Sequence, residues 1–200
     1  MIEGFRDKRT SAVFRGEMPK GFPSNIAAVA RPKLRMLDTA ARLDDLRVPR
    51  FNRLEALVGD REGQHSIRVN DRWRLCFVWR DGAAHGVEMV DYHAWETVMT
   101  IRHDERLDLS DVTTGERLPN VTPGEVLREE FMVPLGLSAR ALARDIGVPP
   151  NRVTEILNGE RAVSAETAIL LSRRFGTTPE FWMNLQTAHD LDVARRTMAA

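Results

Sequence analysis

From Ser138 to Asn158 the chain meets, position by position, what two short helices locked at a steep angle demand: apolar residues where they meet, a small residue where they touch, and a turn without steric cost. Leu142 and Ile146 lie one turn apart on the first helix, and Ala143 supplies the small contact. Gly147 and Val148 make the turn, and Val153 and Ile156 fill the second helix from inside. Pro149 or Pro150 can begin that helix, because the N–H that proline lacks has no partner at a helix N-terminus anyway. This is the spacing of a helix-turn-helix. Its second helix presents Asn151, Arg152, Thr154, Glu155 and Asn158 outward. Asn and Arg can form two-pronged hydrogen bonds to adenine and guanine edges, and Thr can touch phosphate or a thymine methyl, so Asn151, Arg152 and Thr154 are the preferred DNA readers. Arg140 and Arg161 flank the unit and suit phosphate contacts that set register. The plainer reading of the same residues is a helical hairpin with a solvated outer face. One such module buries little surface, so specific binding predicts a homodimer reading half-sites ~34–36 Å apart.

The first half has a different rhythm. A short strand-like stretch around Ile2 to Phe5 precedes two helical stretches, and in the second Ile26, Ala30, Leu34, Leu37 and Ala41 recur at spacings of three and four. Past Arg50 the period changes to two. Ile67 and Val69 alternate with Ser66 and Arg68, Asn70-Asp71 is a tight-turn pair, and Trp73, Leu75, Phe77 and Trp79 alternate with Arg74, Cys76 and Val78. A second turn, Asp81-Gly82, leads into Gly86 to His93, where Val87 and Met89 share a face. Two domains are therefore expected: an N-terminal α+β unit of helices on a small antiparallel sheet over 1–93, and a C-terminal all-α helix-turn-helix unit over 123–200. Residues 94–122 lose regular periodicity and read as a linker or extended arm, with a seam between His93 and Met99.

Composition narrows the classes. No apolar run approaches the ~20 residues that span a bilayer, the N-terminus lacks the apolar core of a secretory signal, and Cys76 has no second cysteine to pair with. A cytoplasmic protein without a membrane role is expected. Residues 1–98 hold 17 Lys+Arg against 14 Asp+Glu, and residues 99–200 hold 12 against 15. A mildly basic half beside a mildly acidic one suits mutual docking, or RNA contact by the first half. Zinc-type cysteine pairs, a His-Glu-x-x-His helix and a Gly-rich phosphate loop are all missing, and His65, His85, His103 and His189 are scattered, so neither a metal nor a cofactor is expected.

Pro123-Gly-Glu-Val-Leu-Arg-Glu-Glu-Phe, Leu135-Gly-Leu-Ser, Ile156-Leu-Asn-Gly-Glu-Arg and Thr177-Thr-Pro-Glu-Phe-Trp-Met-Asn-Leu-Gln together resemble the HigA antitoxins of the Xre-like family. The resemblance covers residues 99–200 and implies a lambda-repressor-like fold that binds its own operator DNA as a dimer. Gly59-Asp-Arg-Glu-Gly-Gln-His-Ser-Ile-Arg-Val-Asn-Asp-Arg-Trp-Arg, Phe77 and the closing Val90-Asp-Tyr-His resemble the HigB toxins of the RelE-like superfamily. That resemblance covers residues 1–93 and implies a compact α+β fold that cleaves mRNA on the ribosome.

Cutting RNA requires the 2′-OH to be deprotonated, the phosphorane charge to be stabilised and the leaving 5′-oxygen to be protonated. Arg74, always charged and on the polar side of its strand, suits the phosphorane. His93 can exchange a proton near neutral pH, and Asp91, two residues earlier, shares its strand face. By the resemblance, Arg74, Asp91, Tyr92 and His93 form the active site, although Tyr92 should point to the opposite face, and Arg61 and Arg68 add RNA contacts. Without the resemblance, an Asp-Tyr-His strand end is a structural cap and Arg74 a salt-bridged arginine. Many relatives carry a Lys before the Gly-Asp-Arg and a His near the preceding Leu; this chain has Val58 and Glu55. The leading expectation is a fused ribonuclease and antitoxin, kept together by the short join Ala94 to Val98. The alternative, which Val58 and Glu55 favour, is a purely DNA-binding regulator with an inactive toxin-like half.

Overall fold

The chain opens as an extended edge, with Ile2 and Phe5 forming isolated parallel bridges to Ala84 and Val87. The computed structural model describes residues 1–48, 50–91 and 109–198. Helix α1 (Lys8–Arg15) starts where the Asp7 carboxylate accepts from the Thr10 N–H and hydroxyl (2.7 and 2.6 Å), and it ends at Gly16 in the left-handed conformation. Strand β1 (Glu17–Pro19) leads to helix α2 (Ser24–Thr39), whose Ile26, Ala30, Leu34 and Leu37 are buried as their spacing predicts. Ala41 departs from that stripe: it is exposed beyond the helix. The physical reason is Asp45, whose carboxylate takes the backbone N–H groups of Ala41 and Arg42 (3.0 Å each) and so offers them a partner outside the helical ladder.

Strands β2 (Glu55–Ala56), β3 (His65–Arg68), β4 (Trp73–Arg80) and β5 (Ala83–Asp91) form an antiparallel sheet in that order. The β4–β5 hairpin turns on Asp81 and Gly82, both at positive φ (53° and 76°), the conformation a two-residue hairpin needs. The β3–β4 turn is wider than a two-residue pair. The Asn70 side chain closes it by accepting from the Arg72 and Trp73 N–H groups. Ile67, Leu75, Phe77 and Val87 are fully buried on one face of the sheet. Strand β6 (Thr113–Arg117) pairs antiparallel with β1, Glu17 opposite Arg117 and Pro19 opposite Thr113.

Two compact units result, one of residues 1–38 with 52–119 and one of residues 39–51 with 120–200. The described end of the irregular stretch before residue 122 thus contributes a strand to the first unit, and residues 39–51 belong with the helix-turn-helix.

In the second unit, α3 (Pro123–Val126) continues as a π-helical segment, Leu127–Met132. Helices α4 (Ala139–Ile146), α5 (Pro150–Leu157), α6 (Ala165–Phe175) and α7 (Pro179–Met198) follow. Phe131 anchors an aromatic core, its ring centroid 5.0 Å from Phe175 and 4.9 Å from Trp182. The start of α7 is held from residues 39–51: fully buried Asp45 also accepts from the Thr178 N–H (2.8 Å) and hydroxyl (2.9 Å). Among the described residues, no helix is long and apolar enough to cross a membrane.

Gly124 is where α3 meets the helix-turn-helix. A Cβ there would lie 2.0 Å from the Ile156 carbonyl oxygen, a backbone atom that cannot swing aside. Gly124→Ala is therefore expected to destabilise the second unit by at least ~1–3 kcal/mol, as overpacking does, and to lower its melting temperature in circular dichroism.

Candidate nucleic-acid interfaces

The helix-turn-helix is built as its spacing demands. The Ser138 hydroxyl caps α4 by accepting from the Ala141 N–H (3.1 Å), Gly147 ends it at φ 72°, and the Val148 N–H returns to the Ala143 carbonyl (2.9 Å). Pro149 is the cap of α5 and Pro150 its first residue. Leu142, Ala143, Ile146, Val153 and Ile156 are all buried. The opposite side of α5 faces solvent: Asn151, Thr154 and Asn158 are exposed, and Arg152 and Glu155 half-buried. Arg140 and Arg161 are exposed on either side of it.

Carboxylates hold several of these groups. Arg152 pairs with Glu166 at the start of α6 (3.2 Å), and Arg161 with Glu155 (2.5 Å). Asn151 reaches Glu155 at 3.4 Å. Arg128, which the sequence pattern did not single out, donates to the Leu157 carbonyl (2.8 Å) at the C-terminal end of α5, where carbonyls lack helical partners.

On the sheet, register decides which predicted residues meet. Arg68 lies directly across from Arg74, and Arg74 across from Val90, whereas Asp91 is across from Trp73. Because successive side chains alternate between faces, Arg74 shares its face with Ser66, Arg68, Cys76 and Glu88, and Asp91 lies on the other. Arg74 Nε donates to Ser66 Oγ (2.9 Å), and Nη2 donates to the Arg53 carbonyl (2.8 Å) and pairs with Glu55 (2.9 Å). Asp91 is gripped by Arg72, with Nε at 2.6 Å. Arg68 pairs with Asp71. Tyr92 and His93 lie outside the described residues.

Arg61 is not a surface side chain. It is buried, and it and Arg6 both donate to Glu88 Oε1 (3.0 Å each). This cluster closes the middle of the Arg74 face over Cys76. A shallow cleft farther along the same sheet is lined by Arg6, Gln64, Val78, Arg80, His85 and Gly86, and neither Arg74 nor Asp91 borders it. Neither Glu55 nor Arg72 is identifiable from local sequence as a partner of those two groups, since each pairing depends on strand register.

A sheet-and-helix unit and a helix-turn-helix unit make this a two-part protein with a DNA-binding type of fold in its second part. The family of RelE-like toxins of the type II toxin-antitoxin system HigB matches residues 3–93, and the helix-turn-helix family matches residues 127–182. A solved structure of Pseudomonas aeruginosa antitoxin HigA with the higBA promoter is 40% identical, covering 40% of this chain and 86% of that one, with a TM-score of 0.39. "Endoribonuclease HigB" of Proteus vulgaris is 32% identical over 93 residues, 46% of this chain and 100% of that protein. "Virulence-associated protein I" of Dichelobacter nodosus is 47% identical over 79 residues, 40% of this chain and 73% of that protein, and "Antitoxin HigA-1" of Vibrio cholerae is 45% identical over 71 residues, 36% and 67%. By its family matches and these relatives, the chain belongs to the HigB–HigA toxin-antitoxin family, a HigB-like toxin domain and a HigA-like helix-turn-helix domain in one polypeptide.

Cys76 reports on how closed the Arg74 face is. Burial pushes its thiol from 9.0 up to about 11. At pH 8 about one thiol in a thousand is then thiolate, so an aromatic disulfide reagent should label the native chain far more slowly than the denatured one. The unfolded thiol ionises first, so the stability gained by keeping it neutral is intact below pH 9.0 and is lost as pH climbs through about 11. Rapid native labelling at pH 8 would show that the cluster over Cys76 is open.

Proposed function

We propose that this chain is a self-contained toxin-antitoxin module. The helix-turn-helix unit binds operator DNA as a homodimer and represses its own transcription. The HigB-like domain is an mRNA-cleaving toxin that acts on the ribosome, and its HigA-like partner neutralises it within the fusion. The observation that carries this reading is the solvent-facing side of α5, where Asn151, Arg152 and Thr154 stand on a helix fixed from behind by buried Val153 and Ile156. Glu155 and Asn158 complete that face, and exposed Arg140 and Arg161 supply phosphate contacts. The carboxylates now pairing with Arg152 and Arg161 are held in exposed ion pairs, which contribute ~0–1 kcal/mol and give way readily to DNA phosphate.

Replacing Asn151, Arg152 and Thr154 together by Ala is expected to weaken binding to the chain's own operator by at least ~100-fold, at ~1–3 kcal/mol per base contact, with little change in melting temperature. Fluorescence anisotropy against operator and scrambled duplexes checks it; unchanged selectivity sinks the reading. Arg140→Ala should weaken both duplexes alike and flatten the salt dependence.

For the toxin domain, Arg74 supplies positive charge to the scissile phosphate, with Arg68 across the strand as an RNA contact. Arg61 supports that face from within. Asp91, Tyr92 and His93 supply the acid–base chemistry, and a site using all of these residues has to wrap around the end of β5, since Arg74 and Asp91 occupy opposite faces. A second reading is favoured by the Arg74–Glu55 and Asp91–Arg72 pairs, which satisfy the cation and the carboxylate locally. In that reading the toxin domain is catalytically silent and the chain is a DNA-binding regulator. Adding residues 1–119, without the HigA-like helices, to translating ribosomes separates the two: mRNA cuts that disappear with Arg74→Ala or His93→Ala support the toxin, and uncut mRNA with a folded fragment supports the regulator.

A further inference from the structure

We propose that Glu55 is an internal occupant of the phosphate position at Arg74, a built-in competitor that sets how tightly the first unit holds a phosphodiester. The inference rests on the reading above that the Arg74 face meets RNA. Glu55 lies across from Ser66 in the β2–β3 pairing, which places it on the face that carries Ser66 and Arg74. Among the described residues, acceptors that hold the guanidinium include Ser66 Oγ at 2.9 Å, the Arg53 carbonyl at 2.8 Å and Glu55 Oε2 at 2.9 Å. Arg53 presents that carbonyl from a left-handed backbone (φ 43°), an uncommon conformation for a residue with a side chain.

The three acceptors are not equivalent. Ser66 is neutral and fully buried, and the carbonyl is a neutral backbone group. Glu55 alone among them is anionic. Its side chain is 52% exposed where that of Arg74 is 12% exposed, so an anion approaching from solvent meets the carboxylate first. Carboxylate and phosphate oxygens accept from a guanidinium in the same geometry, so Glu55 stands where a phosphate oxygen would stand. An ion pair this open is exchangeable. A phosphodiester can displace the carboxylate, but it then sits beside the charge it has displaced. Buried Ser66 and the Arg53 carbonyl meanwhile keep the guanidinium oriented, so the site persists when Glu55 moves away.

The test uses the full chain with Glu55→Gln, which keeps the shape and removes the charge, and Glu55→Ser as a second variant should the first fold poorly. Two probes are titrated: inorganic phosphate, followed by the Arg74 side-chain NMR resonance assigned through Arg74→Lys, and a short single-stranded RNA, followed by anisotropy. Loss of one neighbouring negative charge should tighten phosphate about tenfold, and the gain should vanish when Arg74→Ala is added. Equal phosphate affinity in wild type and in a folded variant, or a gain that survives Arg74→Ala, overturns the inference. Tighter phosphate with no RNA bound by any variant upholds Glu55 as the occupant and sinks the reading that the Arg74 face meets RNA. RNA bound by the wild type through Arg74 with no effect of Glu55 on either probe does the reverse.

Discussion

The register of β4 between β3 and β5 decides which side chains of the HigB-like domain can act together. Two left-handed residues, Asp81 and Gly82, fix one end of the β4–β5 hairpin. Partway along, the register shifts: Cys76 is opposite Glu88, but Val78 is opposite His85, so β5 carries an extra residue beside Gly86, itself left-handed at φ 57°. A slip of one residue would send Arg74 to the face that buries Leu75 and Phe77, where an unpaired guanidinium is not tolerated. The bulge and turn thereby hold Arg74 beside Ser66, Arg68 and Glu55, and keep Asp91 away from them.

The second unit depends on a comparable fixed point. Asp45 is completely buried and accepts from Ala41, Arg42 and Thr178, the last through both its N–H and its hydroxyl. A buried carboxylate is tolerated because its oxygens are supplied with donors. Thr178 in turn receives the Phe181 N–H on its hydroxyl, and Thr177 receives the Trp182 indole, so the aromatic core around Phe131 is tied to the same point. Residues 39–51, from the toxin-like part of the sequence, are thus part of the unit that carries the helix-turn-helix.

How far this was legible in the sequence follows from how local each constraint is. The helix-turn-helix was readable because its demands fall within about twenty residues and each names a residue type: small at Ala143, glycine at Gly147, proline at the start of α5. Strands β3 to β5 announced themselves by alternation. Ala41 was misassigned to the α2 stripe because its competitor, the Asp45 carboxylate, acts through the backbone and leaves no mark on the hydrophobic pattern. Strand β6, Thr-Thr-Gly-Glu-Arg, has no apolar alternation, and its partner β1 is distant in sequence. The resemblance that implies an RNA contact at Arg61 says nothing of its burial, because only tertiary structure sets it beside Glu88. The separation of Arg74 from Asp91 was hidden for a related reason: strand period places residues within a strand, and only cross-strand pairing places them relative to one another.

Both interfaces keep arginines against carboxylates, and the difference in burial gives the two halves different thresholds. Arg161, with a half-exposed side chain, pairs with Glu155 at the surface, where ion pairs are weak and screened. Duplex DNA, carrying a charge every ~1.7 Å along its axis, can exchange such partners as it docks. Arg74 is much less exposed and, among the described residues, is held by the neutral Ser66 hydroxyl and Arg53 carbonyl besides Glu55, so a phosphate binding there as proposed has to displace a carboxylate from a guanidinium that water screens less. On the proposed reading, the same residue chemistry makes DNA contact the more readily expressed of the two. RNA contact is on that reading the conditional one, with its threshold set by the proposed Glu55 occupant of the HigB-like domain.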